Sequence, residues 1–242
     1  MVVMFNPIKF STKYINTVIN NGFRTSKNKQ FNSILVKNFC KKIGTKYGVT
    51  VSSGTAGLHV ALLSLELKKN DEVIMPAITM SAVLYSIILC GAKPVFADIN
   101  EDTMCISTDS IKSKITKNTK AIVSVSLFGL PPNLSEIKSI IKKTKKKIYL
   151  IEDNAESLLA KHKNKAVGNF GDFSMFSFQA SKMLTCGEGG ILVSNNKALY
   201  ERSKIYSNLG YFLKNGSYKK IREDLQNTNF KRHKLLGLNY RL

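Results

Sequence analysis

The sequence predicts an α/β fold built on a mostly parallel central sheet with helices on both faces. Short apolar segments of strand length recur along most of the chain, and amphipathic segments of helical length separate them. Strands that are covered on both faces read as continuous apolar runs, because neither face meets water. A hydrophobic content of 43% in 242 residues is typical of a globular core.

The predicted strands and helices alternate in chain order. Apolar runs predict strands over residues 49–52, 72–75, 94–97, 121–125, 148–151, 172–178 and 190–194. Helical periodicity predicts a helix that closes over residues 39–47, and further helices over 55–67, 81–90, 109–115, 134–143 and 198–209. Residues 210–235 are polar and weakly periodic, which predicts a long surface excursion.

We divide the chain into an N-terminal segment, residues 1–30, and one large domain, residues 31–242. No apolar run reaches the roughly 18–20 residues that span a bilayer, and the apolar start is too short for a secretory signal. The four cysteines form no Cys-x-x-Cys pair and only three histidines are present, which argues against a metal site. We therefore predict free thiols in a reducing compartment and a cytoplasmic protein without a membrane segment.

The net charge of +21 raises the possibility of nucleic-acid binding. The lysines are nevertheless spread along the chain, and the densest cluster, at residues 142–147, stands where a helix should end and where cations are favourable. No helix-turn-helix signal and no basic stripe interleaved with aromatic residues is present. We therefore predict no specific nucleic-acid function, and attraction of an anionic substrate as the more modest use of this charge.

The most informative residue is Lys182, which stands between a hydroxyl-rich stretch and the turn Gly187-Glu188-Gly189-Gly190. A half-buried lysine amine can form a Schiff base with an aldehyde cofactor. Asp153 directly follows an apolar strand, where ligand sites of open parallel sheets collect, and could pair with a pyridine nitrogen. The competing interpretations are a solvated surface lysine and a helix N-cap at Asp153, with Glu156 either near the cofactor ring or completing a capping box.

The run Ser52-Ser53-Gly54-Thr55-Ala56 lies at a predicted strand-to-helix junction. Exposed amides at a helix start, with a glycine that allows close approach, can form a phosphate cradle. The alternative is an ordinary capped helix with Ser53 or Thr55 as the cap. Ser177, five residues before Lys182, could bring its hydroxyl to the same phosphate.

Taken in chain order, these segments resemble the fold-type I pyridoxal phosphate enzymes and, within them, the DegT/DnrJ/StrS sugar aminotransferase family. The resemblance covers nearly the whole chain, and its carriers are the runs 53–56, 151–157, 168–172, 177–190 and 237–241. The form Ala155-Glu156-Ser157 is most similar to perosamine synthase-type members, which aminate a 4-keto nucleotide sugar. The resemblance implies transamination of a nucleotide-linked keto-sugar by an amino acid donor, glutamate being the expected one, for cell-surface polysaccharide or antibiotic sugar synthesis.

The resemblance also implies a role for each site residue. Lys182 would carry pyridoxal phosphate and then move a proton between donor and cofactor carbons, Asp153 would pair with the pyridine nitrogen, and Glu156 would lie near the ring. Three further residues would bind the phosphate within the same chain: Thr55, Ala56 and Ser177. Asn239 would reach the phosphate of a neighbouring subunit, which implies a homodimer with shared active sites.

The chain departs from the family pattern at several points. Met80 stands where an aromatic ring usually covers the cofactor, and Ser126 stands where a histidine is common. Family members continue beyond the Asn239-Tyr240-Arg241 motif into a small C-terminal domain, which we expect to be missing here. Two rivals therefore remain: a truncated, non-catalytic chain, and a sugar dehydratase of the same fold. Dehydratases of that type replace the lysine with histidine, and Lys182 argues against them.

Overall fold

The computed structural model describes residues 15–17, 19–20, 25–209 and 238–240. The predicted N-terminal segment 1–30 lies largely outside these residues, and the predicted excursion 210–235 lies wholly outside them. None of the helices within the described ranges is both long and apolar enough to cross a membrane.

Among the described residues, seven strands form one sheet in the spatial order β1-β9-β8-β5-β4-β2-β3. Their bounds are β1 Tyr47–Val51, β2 Glu72–Pro76, β3 Lys93–Ala97, β4 Thr119–Val125, β5 Tyr149–Asp153, β8 Phe173–Ser177 and β9 Gly190–Ser194, with β6 Lys161–His162 and β7 Lys165–Ala166 pairing separately. Only β9 runs antiparallel to its two neighbours in this sheet, and the other adjacent pairs are parallel. The prediction of a mostly parallel sheet is confirmed.

Helices within the ranges that the structure describes cover the sheet on both faces, as predicted. They are α1 Thr25–Ile43, α2 Gly54–Leu63, α3 Ser81–Leu89, α4 Thr108–Lys114, α5 Leu134–Lys143 and α6 Lys197–Ser207, and a short 3₁₀ turn spans Leu127–Gly129. Strand β2 shows the division, because its Val73 and Met75 pack with α2 and α3 while Ile74 packs with α4 and α5. Alternate side chains of one strand therefore pack into two separate hydrophobic cores, one on each face of the sheet.

Two helices end earlier than the sequence predicts. The first stops at Ile43 rather than running towards residue 47, because Gly44 takes a φ of +90° and its amide closes back onto the Cys40 carbonyl. This is a common glycine stop at a helix C-terminus. The second ends at Leu63 rather than at residue 67, since Glu66 adopts a φ of +56° in the following turn.

The buried carboxylate of Glu152 fixes the loop between β7 and β8. Its four closest donors are three backbone amides and one hydroxyl, at 2.6–2.8 Å: those of Gly168, Phe170, Gly171 and Ser174. A Cβ on Gly171 would lie 2.6 Å from the Phe173 carbonyl oxygen, so the loop can close this tightly only with glycine there. The 168–172 run is therefore explained by its fold, and it holds β8 against β5.

Candidate active site

A cavity of about 400 Å³ opens at the carboxyl ends of three adjacent strands. The last residues of β4, β5 and β8, which are Val125, Asp153 and Ser177, all line it, together with the N-terminal ends of α2 and α3. Ligand sites of open parallel sheets collect at this edge, because loops and helix N-termini converge there. Six of the predicted site residues line the cavity: Thr55, Met80, Asp153, Glu156, Ser177 and Lys182.

Lys182 is directed into this cavity and is held by a carboxylate. It lies in the loop between β8 and β9, its side chain is only 22% exposed, and its Nζ is 3.2 Å from Glu156 Oε1. The other oxygen of Glu156 accepts a hydrogen bond from the Phe128 amide, in a turn where Phe128 has a φ of +51°. Lys182 is therefore not the solvated surface lysine of the competing interpretation.

Asp153 is 5% exposed at the end of β5. Burial raises the pKa of its carboxyl from 3.8 to about 6, although the hydrogen bond from the Ala155 amide and the charge of Lys182 act in the opposite direction. No helix begins after Asp153, so the alternatives of an N-cap and of a capping box completed by Glu156 are wrong. Among the residues that the structure describes, no cation is in direct contact with this carboxylate, so it is suited to meet one that enters the cavity.

The raised pKa of Asp153 predicts an unusual pH dependence of the free energy of unfolding, measured without a bound ligand. Between pH 4 and 6 the folded state binds more protons at Asp153 than the unfolded state, so the contribution of this group to stability is full below pH 4 and falls as the pH rises through 6. The loss should reach about 3 kcal/mol at most, because one unit of pKa difference corresponds to about 1.36 kcal/mol. Denaturant unfolding of wild type and Asp153→Asn at several pH values measures it, and parallel curves for the two proteins would contradict it.

The start of α2 offers free backbone amides to the cavity. Ser53 is the N-cap of α2, and its hydroxyl accepts from the Ala56 amide at 3.1 Å. The predicted helix cap at Ser53 is therefore confirmed, and it leaves other amides of the first turn unused. The amides of Gly54 and Thr55 donate to no acceptor among the described residues. A Cβ on Gly54 would lie 3.2 Å from Ser177 Oγ, and glycine therefore lets the helix start approach that hydroxyl. Two free amides and a hydroxyl form a cradle for an anion.

Two predicted residues do not line the cavity. Ala56 is buried and its amide is already engaged by Ser53, so its predicted phosphate contact would require sharing that donor. Asn239 is exposed, and its backbone forms an isolated β-bridge with Asn208. Both assignments stay predictions.

The structure adds cavity residues to which the sequence pattern assigns no role. Among them are Thr79, Gln179 and Glu188. Ser126, which replaces the histidine common in the family, also lines the cavity. The Ser126 hydroxyl donates to Asn154 Oδ1 at 3.0 Å and its amide donates to the Asp153 carbonyl oxygen, so it supports the turn that carries Asp153. These contacts join residues 27 or 28 positions apart, a separation over which no local pattern signals them.

This sheet, with a lysine and a buried aspartate facing an amide cradle, defines the large domain of a fold-type I pyridoxal phosphate enzyme. Residues 8–242 match the DegT/DnrJ/EryC1/StrS aminotransferase family, and the chain belongs to that family. It is 36% identical over 230 residues to GDP-perosamine synthase from Escherichia coli O157:H7, and 36% identical over 198 residues to the protein of that name from Vibrio cholerae. These matches cover 95% and 82% of this chain, but only 58% and 53% of the two relatives.

Solved structures show the same relationship. An aminotransferase from Psychrobacter cryohalolentis aligns with a TM-score of 0.82 at 30% identity, over 99% of this chain and 59% of that one. The dehydratase ColD, solved as a point mutant with bound GDP-perosamine, aligns with a TM-score of 0.82 at 29% identity, over 98% and 62%. NtdA from Bacillus subtilis, solved with its bound cofactor PMP, aligns with a TM-score of 0.75 at 25% identity, over 96% and 50%. The chain thus spans little more than half the length of these relatives.

Proposed function

We propose that this chain forms the cofactor-binding part of a pyridoxal phosphate-dependent aminotransferase that acts on a nucleotide-linked keto-sugar, with an amino acid, glutamate, as donor. The observation that carries the proposal is the meeting of Lys182, Glu156 and Asp153 in one cavity beside a free amide cradle. The names of the GDP-perosamine synthase relatives support a sugar nucleotide as substrate. The four free thiols support a reducing compartment, the cytoplasm.

The residues present fit pyridoxal phosphate. The amides of Gly54 and Thr55, with the Ser177 hydroxyl, are placed to take its phosphate, and the buried Asp153 carboxylate is placed to take the ring nitrogen. A Cβ at residue 54 would lie 3.0 Å from Met175 Sδ and from Ser177 Cβ, so a side chain there would crowd the cradle. Met80, at the N-cap of α3, is on the cavity wall and can cover a ring through its sulfur.

The chemistry follows from what these side chains hold and move. Bound pyridoxal phosphate supplies an aldehyde that can exchange amino groups and a ring that draws electrons from the reacting carbon. Lys182 would hold the cofactor through its amine, and the same Nζ would be placed to accept and return a proton. Glu156 accepts a hydrogen bond from the released amine and keeps it inside the cavity. Asp153 would accept a hydrogen bond from a protonated ring nitrogen, since its carboxylate is buried and no cation among the described residues is in direct contact with it.

Lys182 also separates this proposal from the dehydratase alternative. ColD aligns as well as the aminotransferase does, so the fold alone does not discriminate. Dehydratases of this fold place histidine at the lysine position, and a lysine amine can both carry the cofactor and return the donor nitrogen. The test is an assay of wild type with glutamate and a nucleotide-linked 4-keto sugar. Formation of 2-oxoglutarate and of the amino sugar supports the proposal, whereas loss of water from the sugar without transfer of nitrogen would overturn it.

The proposal includes a homodimer in which each subunit completes the other's site. Asn239 is exposed and does not line its own cavity. Its segment is anchored, since the Tyr240 carbonyl accepts from the Ser52 amide at 2.9 Å and the Tyr240 amide donates to the Ser207 carbonyl. Large apolar side chains are also exposed at the cavity-lining Met80 and at three residues close in sequence to other lining residues, and a second copy could cover them: Phe128, Met183 and Leu184. Covering exposed apolar surface of this kind favours association.

Shared sites predict complementation between two inactive variants. Lys182→Ala and Asn239→Ala should each lose most activity alone, because one lacks the amine and the other lacks the predicted phosphate contact. After subunit exchange at equal concentrations, half of the dimers carry one intact site, so about a quarter of wild-type activity should return. Mixed-dimer assays with a sedimentation measurement check this. Activity that stays at the level of the separate variants, in a protein that sediments as a dimer, would contradict shared sites.

A further inference from the structure

Thr79 carries a hydroxyl without a hydrogen-bond partner. In the described part of the chain, four buried side-chain nitrogen or oxygen atoms have none, and Thr79 is the residue among these four that lines the cavity. Folded proteins rarely leave a buried hydroxyl unpaired, because the lost hydration is not replaced. The molecule that occupies the cavity is therefore the candidate partner.

Thr79 lies between β2 and α3, directly before Met80, and it belongs to the lining of the cavity. Its Oγ1 is nevertheless covered in this conformation, whereas the Met80 side chain is 64% exposed. A rotation about the Cα–Cβ bond to another staggered rotamer would turn the hydroxyl towards a molecule bound in the cavity.

We propose that Thr79 Oγ1 hydrogen-bonds bound pyridoxal phosphate and is a further cofactor-binding residue of this site. The inference rests on the proposed function, since it takes that cofactor as the occupant. A hydroxyl can both donate one hydrogen bond and accept others, so it suits a polar oxygen or nitrogen of the cofactor in either state of protonation. Its contribution is to fix the orientation of the cofactor, while the charged groups provide most of the attraction.

The test uses Thr79→Val, which keeps the branched shape and removes the hydroxyl, with Thr79→Ser as the control that restores it. Two measurements are made on the whole chain: the dissociation constant for pyridoxal phosphate, from an absorbance titration without any amino donor, and thermal unfolding of the cofactor-free protein. Thr79→Val should raise the dissociation constant about five- to tenfold, the usual effect of one hydrogen bond. Thr79→Ser should bind within about twofold of wild type.

The cofactor-free protein separates a ligand contact from a structural role. Removing an unpaired buried hydroxyl relieves a cost, so cofactor-free Thr79→Val should unfold at the same temperature as wild type or a higher one. Wild-type affinity in Thr79→Val, or a cofactor-free variant that unfolds at a clearly lower temperature, would overturn the inference while leaving the proposed function standing. Failure of wild type itself to bind pyridoxal phosphate would overturn both.

Discussion

Lys182→Ala should abolish transamination, with a loss of at least about 10³-fold in kcat, and should abolish covalent capture of the cofactor. Alanine removes the amine that both attaches to the aldehyde and moves the proton, so two functions are lost through one change. Among the described residues that line the cavity, no other lysine is present to replace it. The measurement is borohydride treatment in the presence of pyridoxal phosphate, which makes an amine–aldehyde link permanent, followed by intact mass.

Lys204→Ala is the matched control for this variant. Lys204 forms an ion pair of nearly the same length, 3.3 Å to Glu201, but on the exposed side of α6 and outside the cavity. The Lys204→Ala protein should capture the cofactor under borohydride as efficiently as wild type. Both substitutions break a partly exposed ion pair, and neither should change the free energy of unfolding by more than about 1 kcal/mol. Capture that survives in Lys182→Ala would assign the cofactor to another amine and overturn the site.

The sheet could be predicted from the sequence because buried parallel strands have a recognisable pattern of apolar residues. The apolar runs 121–123 in β4 and 148–151 at β5 supply buried side chains to both cores, and in segments of strand length this pattern is typical of a covered parallel sheet. Helix ends were less accessible, since they depend on single backbone angles. The early end of α2 depends on the turn at Glu66, and a glutamate in the sequence does not predict a positive φ.

The candidate site likewise has residues that the sequence identifies and contacts that it does not. Lys182 and Asp153 could be named because each stands at a local junction that has chemical meaning by itself. The sequence places Glu152 and Asp153 on opposite sides of a strand, but it does not say which side holds the cavity. The structure shows that Glu152 binds loop amides while Asp153 faces the cavity. The pairing of Lys182 with Glu156 and the unpaired hydroxyl of Thr79 arise from contacts between separate loops, which no local pattern reports.

Asp153→Asn should give the second large effect, a loss of about 10²–10³-fold in kcat with cofactor capture retained. Lys182 is intact in this variant, so borohydride should still fix the cofactor. An amide carries no charge and does not keep the ring nitrogen protonated, so the ring draws electrons less strongly from the reacting carbon. The variant should also fold well, because asparagine can keep accepting from the Ala155 amide while avoiding the burial of a charge.

Asp172→Asn is the control for the loss of a buried carboxylate in general. It shows whether the effect of Asp153→Asn depends on the position of that carboxylate in the cavity. Burial raises the pKa of Asp172 as well, and its carboxylate also accepts from a backbone amide, that of Leu150, but it lies outside the cavity. We expect its kcat to stay within about twofold of wild type, since changes remote from a site rarely alter turnover. Comparable kcat values for Asp153→Asn and Asp172→Asn would mean that the charge at residue 153 does not act on the cofactor. A stable Asp153→Asn protein that captures the cofactor and turns over slowly would place the charge of Asp153 in the chemical step rather than in folding.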